Sequence, residues 1–121
     1  MDAREATLAV CAAWERGDPD GVADLFTEDG RYEDPLWEEA VIGPDAIREQ
    51  IGSGMAAIRN LTIPIKHVVL QDDVAICEAS FLSELADGSG RFDFDFAMVI
   101  EVRDGRISRL AEFFDTRPLV P

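Results

Sequence analysis

The chain has 121 residues, enough for one domain that buries roughly two-thirds of its unfolded surface around a single core, so one domain over residues 1–121 is expected. Its 11 basic and 25 acidic residues give a formal charge of −14, which repels phosphate backbones and anionic lipid, so neither nucleic acid nor a membrane is an expected partner. The start, Met1-Asp2-Ala3-Arg4-Glu5, lacks the basic-then-apolar order of a signal peptide, and no apolar run reaches membrane-spanning length, so a cytoplasmic protein is expected.

From Ala3 to Arg16, apolar residues at helical spacing (Ala3, Ala6, Val10, Ala13, Trp14) predict a buried first helix, apolar nearly all round in its second half. Gly17 ends it, Asp18 can cap the next helix, and Pro19 suits that helix's first position. An acidic turn, Thr27-Glu28-Asp29-Gly30, leads into a short strand in Arg31-Tyr32-Glu33-Asp34-Pro35-Leu36-Trp37. Proline cannot donate to a sheet ladder and drives the residue before it into extended geometry, so Asp34 stands at the strand's rim. Partly desolvated by Tyr32 and Trp37, a carboxylate there suits proton abstraction near neutral pH. Asp-Pro is equally a turn starter whose side chain only bonds nearby backbone amides.

Gly43-Pro44-Asp45 opens a third helix with Ala46, Ile47 and Ile51 inward. Gly52-Ser53-Gly54 then either breaks it before a restart through Met55-Ala56-Ala57-Ile58, or brings its backbone close to something else. Beyond Asn60 the pattern becomes β: Leu61 to Val69, with Pro64 marking an edge or bulge, then Val74–Leu85, Arg91–Arg103 and Arg106–Asp115 as an antiparallel meander. The alternation is clearest in Arg91–Arg103, where Phe92, Phe94, Phe96, Met98, Ile100 and Val102 share one face. Helices followed by long strands predict an α+β domain with helices over one side of a curved sheet.

Other residues carry less chemistry. Cys11 and Cys77 have neither zinc nor redox spacing and are expected as buried free thiols. His67 is the only histidine, so no metal cofactor is expected, and no phosphate loop or nucleophile elbow occurs. Trp14, Phe26, Tyr32 and Trp37 are candidate walls of a pocket for a flat apolar ligand, although aromatics at these spacings are core residues as often.

Several stretches resemble, in order along nearly the whole chain, the nuclear transport factor 2-like superfamily, and within it ketosteroid isomerases and SnoaL-type polyketide cyclases. They are Trp14-Glu15-Arg16-Gly17-Asp18-Pro19-Asp20-Gly21-Val22, Leu25-Phe26-Thr27-Glu28-Asp29, Tyr32-Glu33-Asp34-Pro35, Gly43-Pro44-Asp45-Ala46-Ile47-Arg48, Asp104-Gly105-Arg106-Ile107 and Phe113-Phe114-Asp115. The resemblance implies a cone-shaped fold with three N-terminal helices on a bent, mainly antiparallel sheet enclosing an apolar pocket, and a homodimer through the outer sheet face. It also implies that Asp34 is a general base. The oxyanion donors of the isomerases fall at Val10 and Met98, which cannot donate, and this argues against steroid isomerisation. Asp115 resembles the acid of the cyclases, with pairing to Arg117 as the alternative. The Arg-x-Asp pair of limonene-type epoxide hydrolases is replaced by Glu78-Ala79-Ser80-Phe81, which argues against that activity. Val10, Met98 and Phe113 complete the expected substrate-binding set with the four aromatic residues. The expected function is cofactor-independent proton transfer, as an isomerase or cyclase, on a small, apolar, carbonyl-bearing molecule, with Asp34 as base and Asp115 as acid. The alternative is a non-catalytic ligand-binding or dimerisation module.

Overall fold

A computed structural model describes residues 1–119, so the last two residues of the expected domain lie outside the described part. Helix α1 covers Ala3–Glu15, α2 covers Pro19–Ala23 and α3 covers Pro44–Ala56. The strands are β1 (Phe26–Glu33), β2 (Val41–Ile42), β3 (Ile58–Thr62), β4 (Ile65–Gln71), β5 (Val74–Leu85), β6 (Arg91–Arg103) and β7 (Arg106–Phe113), before a short 3-10 turn at Arg117–Leu119. They form one seven-stranded sheet ordered β2-β1-β7-β6-β5-β3, with β4 also on β5. The β1–β7 pair is parallel and the others are antiparallel. This is the expected α+β architecture.

Local chemistry fixes the helix ends. Asp2 accepts the Glu5 N–H at 2.8 Å while Glu5 reaches back to the Asp2 N–H, a capping box worth about 1 kcal/mol. Gly17 turns the chain at φ +65°, and Asp18 caps α2 through the Gly21 N–H at 2.9 Å. Helix α1 buries Ala3, Ala6, Thr7, Val10, Cys11, Ala13 and Trp14 against the sheet, but Leu8 and Ala12 face solvent, so it is one-sided rather than apolar all round.

The elements differ in detail from those expected at three places. Thr27–Gly30 lies within β1 rather than forming a turn: the chain bulges between Phe26 and Arg31, and a side chain at Gly30 would meet the Thr27 carbonyl at 2.9 Å. Helix α3 runs unbroken through Gly52-Ser53-Gly54, and Ile58 belongs to β3 instead of a helical restart. The stretch from Leu61 to Val69 divides around Ile63 and Pro64 into β3 and β4, both paired to β5, because proline has no N–H for the ladder.

On the inner sheet face Cys77 stands opposite Met98, Ala79 opposite Phe96 and Phe81 opposite Phe94. Helix α1 lies across β5 and β6 and fills this face with Val10, Cys11 and Trp14. Helix α3 spans β1 and β3 farther along, and the space beneath it is not filled.

Candidate active site

A cavity of about 410 Å³ opens between α3 and the inner sheet face. Phe81, Phe92, Phe94, Phe96 and Phe114 form one wall, with Phe94 stacked on Phe81 at 4.9 Å and tilted against Phe114 at 4.8 Å. Ile51, Gly54, Met55 and Ala57 form the α3 side, with Leu36 and Trp37 opposite. Polar side chains converge on one corner, where Tyr32, Asp34 and Glu112 meet, and Gln50 adds an amide from α3.

The corner is assembled by the parallel seam of β1 and β7. Tyr32 pairs in register with Leu110 and Glu33 with Ala111, so the next residues along, Asp34 and Glu112, are brought side by side. Alternation sends Tyr32 inward and Glu33 outward, where Arg109 holds it at 2.5 Å and also binds Glu101 at 2.7 Å. Tyr32 is buried in contact with Trp14, Phe26 and Trp37 and donates its phenolic hydrogen bond to Glu112. Asp34 both starts a turn and faces the cavity. Its Oδ1 accepts the Leu36 N–H at 2.8 Å in an Asx turn, yet the carboxyl lines the cavity. It also borders a smaller polar crevice of about 250 Å³ with Glu38 and Glu39 on the far side.

Burial holds the Glu112 carboxyl well above its ordinary range; the adjoining Asp34 carboxyl raises it further, and the Tyr32 hydrogen bond only partly opposes this. Burial, with Glu112 alongside, likewise pushes the Tyr32 phenol up. Glu112 is thus a carboxylic acid that holds its proton to higher pH than an ordinary glutamate beside a second carboxyl, an arrangement suited to giving and taking protons.

Trp14, Tyr32, Asp34 and Trp37 are brought together at the cavity. Val10, Phe26 and Met98 are not: at 0%, 2% and 0% exposure they are enclosed where α1 meets the sheet. Asp115 and Phe113 are also separated from the cavity. Phe113 is 53% exposed on the outer face, and Asp115 beyond it is exposed and clasped by Arg117, whose Nε and Nη2 donate at 2.9 and 2.6 Å. That guanidinium holds the Asp115 carboxyl below its usual range. The cause is a bulge at Ser108, where Glu101 pairs with Arg109 but Val102 with Ile107. The extra residue turns Leu110, Glu112 and Phe114 inward and Phe113 outward.

Glu112 is the residue that the sequence reading missed. Its signal was a single acid inside the apolar run Leu110-Ala111-Glu112-Phe113-Phe114. His67 is exposed near Glu78, at 3.9 Å, away from the cavity. Among the described residues no three His, Cys, Asp or Glu side chains are grouped to hold a metal ion. Both thiols are buried, and burial pushes that of Cys11 up to about 12.

A family model described as SnoaL-like domain matches residues 8–110. No curated protein matches the chain. Among solved structures, it is similar to a hypothetical protein of ketosteroid isomerase-like fold from Catenulispora acidiphila DSM 44928 in complex with trimethylamine, with TM-score 0.84 and 22% identity over 92% of this chain and 85% of that one. A protein described as a SnoaL-like polyketide cyclase from Jannaschia Sp. CCS1 has TM-score 0.84 and 15% identity, covering 97% of this chain and 88% of that one. An LEH-like epoxide hydrolase from M. tuberculosis has TM-score 0.80 and 22% identity, covering 94% and 83%. These likenesses establish the nuclear transport factor 2-like cone fold, not a shared reaction.

Proposed function

The chain belongs to the SnoaL-like domain family, and on that premise we propose that it is a cofactor-independent acid–base catalyst of the isomerase or cyclase type acting on an apolar, carbonyl-bearing molecule. The observation that carries this reading is the Asp34–Glu112–Tyr32 corner at the end of an otherwise apolar cavity. Asp34 removes a proton from the carbon beside the carbonyl; the C–H pair becomes a C=C bond and the carbonyl π pair moves onto oxygen. Protonated Glu112, steadied by Tyr32, donates a hydrogen bond to that oxygen and replaces the donors missing at Val10 and Met98. The enolate then either takes the proton back at a conjugated carbon or attacks a second carbonyl, whose oxygen receives it.

The test is turnover of a β,γ-unsaturated cyclic ketone to its conjugated isomer, followed by ultraviolet absorbance. Asp34→Asn should abolish it and Glu112→Leu, which has no donor, should reduce kcat by about 100-fold, the usual cost of losing one oxyanion donor. Turnover unchanged in Asp34→Asn would end the reading.

A second reading, a dimerisation module, is favoured by the outer sheet face, where Val69, Ile76 and Phe113 are large, apolar and exposed. We take the homodimer to form there, and Ile76→Lys should yield a monomer by light scattering. The two buried free thiols accord with a reducing cytoplasm.

A further inference from the structure

The cavity has an unusual balance of charge. Asp34 and Glu112 face it, yet among the described residues no Arg, Lys or His side chain lines it. Arg109 is committed to Glu33 and Glu101 on the outer face, and Arg117 to Asp115. Arg31 lines the neighbouring crevice and is exposed. Negative charge at the corner therefore has no cationic partner within the cavity, and the chain's formal −14 adds to the same field.

The aromatic residues beside the carboxyls complete the pattern. Tyr32 meets Trp14 at 6.0 Å and 62°, and Trp37 at 5.0 Å and 61°, so three electron-rich rings stand at steep angles to one another around the corner. Trp14, Tyr32 and Trp37 all line the cavity beside Asp34, and an organic cation against them gains from the ring quadrupoles and from the charge together. An anionic ligand gains from neither.

We propose that this corner binds a protonated organic amine, with its nitrogen set against Asp34 and Glu112 among the rings of Trp14, Tyr32 and Trp37, and its apolar body along the phenylalanine wall. The inference rests on the reading of Asp34 as a cavity-facing carboxylate, and an amine held there takes the place of the carbonyl group and competes with it.

The test uses three probes of one shape: 2-naphthylmethylamine, 2-naphthalenemethanol and 2-naphthoate, titrated calorimetrically at pH 7. The amine should bind about 10-fold or more tighter than the alcohol, and the carboxylate should not bind. Asp34→Asn should remove the amine's advantage and leave the alcohol's affinity in place. Asp115→Asn makes the same change in net charge outside the cavity and should leave both affinities alone. Equal affinity for amine and alcohol, or an advantage that survives Asp34→Asn, would overturn the proposal while leaving the ketone assay to judge the catalytic reading. Failure of all three probes to bind would overturn the proposal and the cavity reading with it.

Discussion

The phenol of Tyr32 donates to the carboxyl of Glu112 across the seam where β1 and β7 run parallel, joining two residues 80 positions apart in the chain. Asp34 completes the group, and its physical signature is measurable without knowing a substrate.

Glu112 keeps its proton above the ordinary carboxyl range because burial and Asp34 disfavour its charge. Folded protein therefore binds more protons than unfolded chain between the ordinary glutamate value, about 4.3, and the raised folded one. The stabilising contribution is fully present below that window and is lost as pH climbs through it, with a limiting slope of about 1.4 kcal/mol per pH unit. Denaturation of wild type and Glu112→Gln from pH 4 to 8 should show wild type losing stability relative to the variant as pH rises; parallel curves would refute the assignment.

Tyr32→Phe removes the hydroxyl but keeps the ring that packs on Trp14, Phe26 and Trp37. Loss of the bond to Glu112 should cost about 1 to 2 kcal/mol in chemical denaturation. Because that bond opposes the rise at Glu112, carboxyl NMR should find Glu112 titrating higher in the variant.

Met98 separates core from cavity. At 0% exposure beneath α1, Met98→Ala should cost about 2 to 5 kcal/mol while leaving affinity for 2-naphthalenemethanol unchanged. A large change in affinity with little loss of stability would return Met98 to the binding surface.

Gly54 lies within α3 with nothing inside 4 Å of where a side chain would begin, so neither crowding nor a positive φ requires glycine there. Gly54→Ala should stabilise the protein by about 0.5 to 1 kcal/mol through helix propensity alone. A fall in melting temperature would expose a backbone requirement that the helix geometry does not reveal.

Most of the architecture was legible because it rests on local rules. The cap at Asp18, the proline opening α3, and the two-residue turn at Asp104-Gly105, with φ values of +52° and +77°, each follow from residue type. Asp34 was legible because Pro35 fixes where a strand must stop. Glu112 was not, since its orientation depends on Ser108, an ordinary residue whose displacement from the ladder no side-chain property announces. Asp115 was singled out by resemblance, and counted without the bulge the parity of β7 does not tell which face it takes. Val10 and Met98 misled differently. Correspondence with a relative's functional positions says nothing about whether a helix has closed over them.

Asp34 stands in the partition between the large cavity and the small crevice lined by Glu38 and Glu39, so a guest that plugs the first leaves the second open. A hydrogen lifted from carbon would therefore not be trapped with its donor but traded through this back door. Turnover in heavy water should write deuterium into the product, and the amount would clock how fast the door is used.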